Sequence, residues 1–270
     1  RAAVERIKQL KPDVITLDVE MPIQDGIETL RQLSKERPTP AVMVSSITYE
    51  GGFKTIQALA HGAFDYVQKP KAQASASVNQ VAEEIRTKVK EAHRSGYLQK
   101  KLRSPSGSSL KTSPPGGPIA LTGKLANVAS FKDHLIVIGI STGGPPCLSQ
   151  LFEAMPEKSP AILVVQHMPE NFTKAMADRL NSMSKMAVKE AAEGDLIQQG
   201  NGYIAPGHSH LRVVRQGDQL RIRLDREGTV SGHRPSADAL FDSITPLYAP
   251  KLIGVLMTGM GRDGATGLKK

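Results

Sequence analysis

Leu135-Ile-Val-Ile-Gly-Ile-Ser-Thr-Gly-Gly-Pro-Pro146 decides the fold of the second half of this 270-residue chain. Leu135 to Ile138 is a short apolar run of the kind that fills a buried strand, and Pro145 falls where a helix accepts proline in its first turn. Strand, glycine turn and helix in that order make Gly139-Ile-Ser141-Thr-Gly143 a Gly-x-Ser-x-Gly pattern in the context that exposes a serine hydroxyl above a sheet. The backbone N–H groups that enter the helix, Thr142 among them, suit an oxyanion. A glycine-rich turn after a strand equally suits the phosphate cradle of a nucleotide-binding domain, and the stretch alone leaves both readings open.

Moving outward, Ala161-Ile-Leu-Val-Val165 reads as a second buried strand. A helix is predicted around Phe172 to Met183, and alternating Leu211 to Val214 and Leu220 to Leu224 flank Gly217-Asp218 as a hairpin. A helix over Ser236 to Leu247 and a strand over Leu252 to Met257 complete a second α/β unit. The first half alternates too. Val14 to Leu17, Ala41 to Val44 and Phe64 to Val67 read as strands, between helices over Gly26 to Glu36 and Gly52 to His61, with another over Val78 to His93. Such alternation implies parallel strands joined by crossover helices, hence an α/β fold with two doubly wound sheets. The Pro-, Gly- and Ser-rich stretch from Ser104 to Pro118 has too few apolar residues to pack and reads as a linker. The expected organisation is one domain over 1–95, a linker over 96–130 and a second domain over 131–270.

A serine nucleophile needs a neutral base within hydrogen-bond reach and a carboxylate that fixes the tautomer of that base. His167 lies just past a strand in Val165-Gln-His-Met-Pro169, and Asp263 follows another in Met257-Thr-Gly-Met-Gly-Arg-Asp-Gly264. Ser141, His167 and Asp263 would then gather at one carboxyl edge, in an order different from that of the α/β hydrolases. In the first half, Asp18, Ser45 and Lys69 stand at three successive strand ends, where ligands of open parallel sheets bind. Singly, each has a bland reading: a capped turn, a local backbone bond, a solvated cation.

Taken together, Leu17-Asp-Val-Glu-Met-Pro22, Asp25-Gly26, Val44-Ser-Ser46 and Tyr66-Val-Gln-Lys-Pro70 resemble the receiver domain of two-component signalling, a flavodoxin-like fold. The resemblance covers Arg1 to about Lys71. It implies phosphorylation of Asp18 by a sensor histidine kinase, with Ser45 and Lys69 contacting the phosphoryl group and Tyr66 as the switching aromatic. The family's first strand, first helix and second strand are missing, and with them the acidic residues that help hold Mg²⁺. Weak or no phosphorylation is therefore expected, and the chain reads as a fragment at both ends. From about Asp133 onward, Gly139 to Gly144, Gln166-His-Met-Pro169, Ala205-Pro-Gly-His208, Arg234-Pro-Ser236 and Met257 to Gly264 resemble, in order, the catalytic domain of the chemotaxis methylesterases of the CheB type. That resemblance implies Ser141 as nucleophile, His167 as general base and acid, and Asp263 as orienting carboxylate, with backbone groups around Thr142 and Met260 forming the oxyanion pocket. It implies hydrolysis of glutamyl methyl esters on chemoreceptor helices, with deamidation of glutamines, and no metal or cofactor for that reaction.

Other chemistry is weighed and set lower. The single cysteine, Cys147, excludes an intrachain disulfide or thiolate cluster, fits a reducing compartment, and sits where an amphipathic helix would use it for packing. His208-Ser-His210 has the spacing of a zinc pair, with His233 or His167 as a third ligand, but lacks a supporting acidic motif. Arg234 suits an acidic feature of the substrate or a plain surface ion pair. The formal charge of +9 would tolerate nucleic acid. Much of it, however, lies between Lys69 and Lys111 with hardly an aromatic to stack bases, and no Arg- and Asn-rich recognition helix follows the linker. A response regulator with a nucleotide- or nucleic-acid-binding output domain is the alternative. No run approaches the roughly 20 apolar residues of a membrane span, and no export signal opens the chain, so a cytoplasmic protein is expected.

Overall fold

The computed structural model describes residues 2–22, 24–45, 49–69, 75–94, 133–259 and 261–270. The whole of the expected linker over 96–130, together with Ser46, Pro70 and Met260, lies outside them.

In the N-terminal half, β1 (Ile15–Asp18), β2 (Ala41–Ser45) and β3 (Asp65–Gln68) pair in parallel in that order. Helices α1 (Ala2–Leu10), α2 (Gly26–Glu36), α3 (Tyr49–Ala60) and α4 (Ser75–Arg94) accompany them. Local chemistry explains α2: the Asp25 carboxylate accepts from the Glu28 N–H at 2.8 Å, and Ile27, Leu30 and Leu33 place one buried stripe on the sheet.

The C-terminal half is a five-stranded, wholly parallel sheet. Its elements are β4 (Leu135–Ile140), α5 (Gly144–Ala154), β5 (Ala161–Gln166), α6 (Glu170–Met183), β6 (Ala187–Glu190) and β7 (Asn201–Ile204). An antiparallel hairpin of β8 (His210–Gln216) and β9 (Gln219–Asp225) follows, then α7 (Ala237–Tyr248), a 3₁₀ turn (Ala249–Lys251), β10 (Leu252–Leu256) and α8 (Ala265–Lys269). Sequence patterning did not anticipate β6 and β7. Each has four residues, β6 buries only Val188 and β7 opens with Asn-Gly, so neither carries an apolar run. The strand order is β10-β4-β5-β7-β6, so β4 lies between β10 and β5, which brings the three following loops to one edge.

The two halves pack on each other. Leu17, Met43 and Tyr66 of the first belong to one apolar cluster with Ile138, Met168 and Phe172 of the second. Tyr66 stacks on Phe172 with ring centroids 4.7 Å apart, and α3 comes so close to α6 that a Cβ on Gly52 would lie 2.6 Å from the Asn171 carbonyl oxygen.

Candidate active site

Ser141 stands directly after β4 and His167 directly after β5, while Asp263 lies in the loop between β10 and α8. Backbone bonds stitch these ends together: the Ser141 N–H donates to Thr258 O at 2.9 Å, and the His167 N–H to Ile140 O at 3.1 Å. The side chains form a continuous chain, with Ser141 Oγ 3.2 Å from His167 Nδ1 and His167 Nε2 2.7 Å from Asp263 Oδ2.

The carboxylate decides the tautomer. Asp263 Oδ1 accepts from Ser236 Oγ at 2.7 Å and the Asp238 N–H at 3.0 Å, and Oδ2 accepts from the Ala237 N–H at 2.7 Å as well as from His167. Ser236 caps α7, so Asp263 sits on the open N–H groups and positive end of that helix. Burial pushes its pKa up, but the bonds from His167, Ser236 and the two backbone N–H groups outweigh burial and bring it down to about 2. An ionised carboxylate has no proton to give, so Nε2–H must be the donor. Nδ1 is left as the acceptor for the Ser141 hydroxyl. The imidazole is turned over relative to the chymotrypsin arrangement, with the same connectivity of roles.

His233 stacks flat on His167, with centroids 3.9 Å apart and planes 8° from parallel, and its Nδ1–H donates to Ser231 O at 2.9 Å. His167, His233 and Asp263 are the one group of three metal-capable residues among those described. They make a poor metal site, because both Asp263 oxygens are already bonded and ring-plane lone pairs of stacked imidazoles do not converge. His208 and His210 join no such group: His210 is fully buried with Nε2–H donating to Gly228 O at 2.9 Å. Cys147 packs half-buried against the main apolar cluster. Arg234 donates to the carbonyls of Arg226 and Glu227 at 3.0 and 2.8 Å.

The Thr142 N–H bonds no acceptor among the described residues. Met260 lies outside the described residues, so its expected place in the oxyanion pocket has no geometry here. Gln166, Ser236 and Thr258 also shape the site and were not singled out by sequence reasoning. Ser236 before an apolar helix is a legible N-cap, and Gln166 is a lone amide closing an apolar strand; Thr258 carries no sequence signal.

Above the other sheet, the Lys69 ammonium donates to Asp18 Oδ2 at 2.6 Å, the Glu20 N–H donates to Oδ1 at 3.1 Å, and fully buried Ser45 Oγ accepts from Thr55 Oγ1 at 2.6 Å. Both Asp18 oxygens are thus already bonded, Oδ2 to an ammonium, and this arrangement does not fit a hard cation such as Mg²⁺. Tyr66 is buried between the halves, where burial and then the Asp65 charge push its phenol well above the usual range. Tyr66 and Lys88 from one side, and His167, His233 and Arg234 from the other, line a cavity of about 280 Å³.

A family model described as CheB methylesterase matches residues 136–270, and one described as response regulator receiver domain matches residues 1–83. The chain is 43% identical over 268 residues to the protein-glutamate methylesterase/protein-glutamine glutaminase 1 of Xanthomonas euvesicatoria pv. vesicatoria, covering 98% of this chain and 73% of that protein. It is 42% identical over 267 residues to the protein-glutamate methylesterase/protein-glutamine glutaminase of Thiobacillus denitrificans, covering 99% and 72%. A solved structure, the CheB methylesterase catalytic domain of Thermotoga maritima, is 43% identical over 50% of this chain and 71% of that one, with a TM-score of 0.49.

Proposed function

The chain belongs to the CheB methylesterase family, with a response regulator receiver domain ahead of the catalytic domain, and on that premise we propose that Ser141, His167 and Asp263 carry its esterase chemistry. Its activity is that of a carboxylic ester hydrolase, a protein-glutamate methylesterase and protein-glutamine glutaminase. The receiver occupies 1–95, a linker 96–130 and the methylesterase 131–270.

In this reading His167 Nδ1 takes the Ser141 proton while Oγ attacks the γ-carbonyl carbon of a glutamyl methyl ester. The resulting oxyanion faces the Thr142 N–H. As the tetrahedral intermediate collapses, methanol leaves with the proton from His167. Water, deprotonated by the same nitrogen, then releases glutamate from the acyl-serine. A glutamine side chain follows the same path with ammonia as leaving group. Asp263 stays ionised and steadies the imidazolium. The hydrogen-bonded chain from Ser141 to Asp263, at 3.2 and 2.7 Å, carries the proposal.

The substrates are methylated chemoreceptor helices and the phosphoryl donor is a sensor histidine kinase acting on Asp18, in the cytoplasm. Among the described residues, no helix is long and apolar enough to cross a membrane. Receivers generally need Mg²⁺ for phosphorylation, and the residues around Asp18, with the Lys69 ammonium on Oδ2, do not fit it. The receiver packs over the catalytic edge, and phosphorylation would loosen that packing. Methanol release from methylated receptor tests the chemistry: Ser141→Ala and His167→Ala should each abolish turnover with the fold intact. Undiminished release by Ser141→Ala would refute it.

A further inference from the structure

Gln166 closes β5 one residue before the base and is almost fully buried, with 3% of its surface exposed. Its Nε2 donates to two carbonyls, Ser141 O at 3.0 Å and His167 O at 3.2 Å. The amide orientation follows from chemistry: with both partners acceptors, only the nitrogen can face them. The other end, Oε1, is buried without a hydrogen-bond partner. A residue kept only to fill space would not leave a buried acceptor unpaired, since an apolar side chain of equal size avoids that cost.

The bond to Ser141 O has a consequence one atom further along. The Ser141–Thr142 peptide is trans, so its carbonyl and its N–H point in opposite directions. Holding Ser141 O toward Gln166, where the Gly144 N–H also donates at 2.8 Å, turns the Thr142 N–H the other way. That N–H bonds no acceptor among the described residues. The next peptide is pinned as well, by Thr258 Oγ1 donating to Thr142 O at 2.9 Å. Adjoining glycines make such a pin useful: Gly143 has φ 72°, and a turn this permissive can rotate its peptides cheaply.

We propose that Gln166 is a positioning residue for the esterase reaction: by clamping the Ser141 and His167 carbonyls it fixes the Ser141–Thr142 peptide plane and aims the Thr142 N–H at the oxyanion. Gly144 is its counterpart, because a Cβ there would lie 1.9 Å from Gln166 Oε1 and displace the amide. The inference rests on the esterase reading above, and its test separates the two.

Methanol release by the full chain is measured for Gln166→Met, Gly144→Ala, Gln166→Ala and the Gly144→Ala/Gln166→Ala double variant, with Ser141→Ala alongside. Loss of one oxyanion donor lowers kcat about 100- to 1,000-fold, and a donor that is misaimed rather than removed should lose roughly 10- to 100-fold. Gln166→Met and Gly144→Ala should show that loss in kcat with KM within about twofold, because the donor acts only on the transition state. The double variant should be no slower than Gln166→Ala, since the clash needs the amide. Wild-type kcat in either Gln166→Met or Gly144→Ala overturns the inference while Ser141→Ala, being dead, leaves the esterase reading standing. Failure of both single variants to fold makes Gln166 structural and equally overturns it. An active Ser141→Ala overturns both.

Discussion

Asp65 Oδ2 accepts a hydrogen bond from the Gly143 N–H at 3.1 Å, so a receiver carboxylate rests on the turn that carries the nucleophile. The same carboxylate bonds the Tyr66 N–H at 2.7 Å and the Lys88 ammonium at 3.4 Å, in a site where its side chain is 4% exposed. Burial pulls the Lys88 pKa down, but the charges of Asp65 and Glu84 outweigh it and leave the pKa raised. Asp65→Ala strands the Gly143 N–H and half-unpairs Lys88. A charged hydrogen bond of about 1.5–3 kcal/mol lost from the interface shifts a closed-to-open equilibrium roughly 10- to 100-fold. Basal methanol release should rise by up to that factor; an unchanged rate would show that this contact does not restrain the cleft.

Gly52 offers a steric route to the same interface. A methyl there would meet the Asn171 carbonyl at 2.6 Å, yet alanine in a helix interior is favoured over glycine by about 1 kcal/mol. Gly52→Ala should therefore stiffen α3 while pushing it off α6. Hydrogen exchange should slow in α3 and quicken at the start of α6, with basal methanol release rising. Unaltered exchange in α6 would mean that the two helices absorb the methyl without parting.

These contacts between halves explain what the chain could not reveal in one dimension. Leu135 to Ile138 and Ala161 to Val165 are legible as strands because both are continuous apolar runs, and residues just beyond them must share a sheet edge if the strands are parallel neighbours. Asp25 before Ile27, Leu30 and Leu33 likewise announces its helix. Val188 alone on β6, and Asn201-Gly202 at the start of β7, give no periodicity, since both strands have only four residues and β6 buries just one of them. Which face of α3 meets α6, that Asp65 would reach Gly143, and that His233 would lie flat on His167 depend on tertiary packing between distant segments. Met260 was implicated by resemblance alone and lies outside the described residues.

Ser236 links a helix cap to the catalytic carboxylate. Its Oγ accepts from the Ala239 N–H at 3.2 Å and donates to Asp263 Oδ1 at 2.7 Å. Ser236→Ala removes the cap, worth about 0.5–2 kcal/mol, and one of four bonds to Asp263. The unfolding free energy should fall by that amount and kcat by roughly tenfold, the carboxylate still being held by His167 and two backbone N–H groups. Unchanged stability together with unchanged kcat would deny Ser236 either role.

Asp263→Asn joins activity and stability in one substitution. The side chain of Asp263 is 0% exposed and its pKa is lowered from 3.8 to about 2, so its ionised form stabilises the fold above the unfolded value. The sign follows: the contribution, about 2 kcal/mol, is complete above roughly pH 5 and is lost as pH falls through the folded pKa. Asparagine cannot ionise, and its amide must turn a donor toward His167 Nε2–H or toward the N–H groups of α7. At pH 7 kcat should drop by up to about 10⁴-fold, as when other triads lose this charge. Urea titrations should show the wild type more stable than Asp263→Asn at pH 7 by at least about 2 kcal/mol, the gap narrowing between pH 4 and pH 2 as Asp263 takes up a proton. A gap that does not change with pH would mean that the carboxylate is not held ionised by His167, Ser236 and the start of α7, and the assignment of Nε2–H as donor would fall with it.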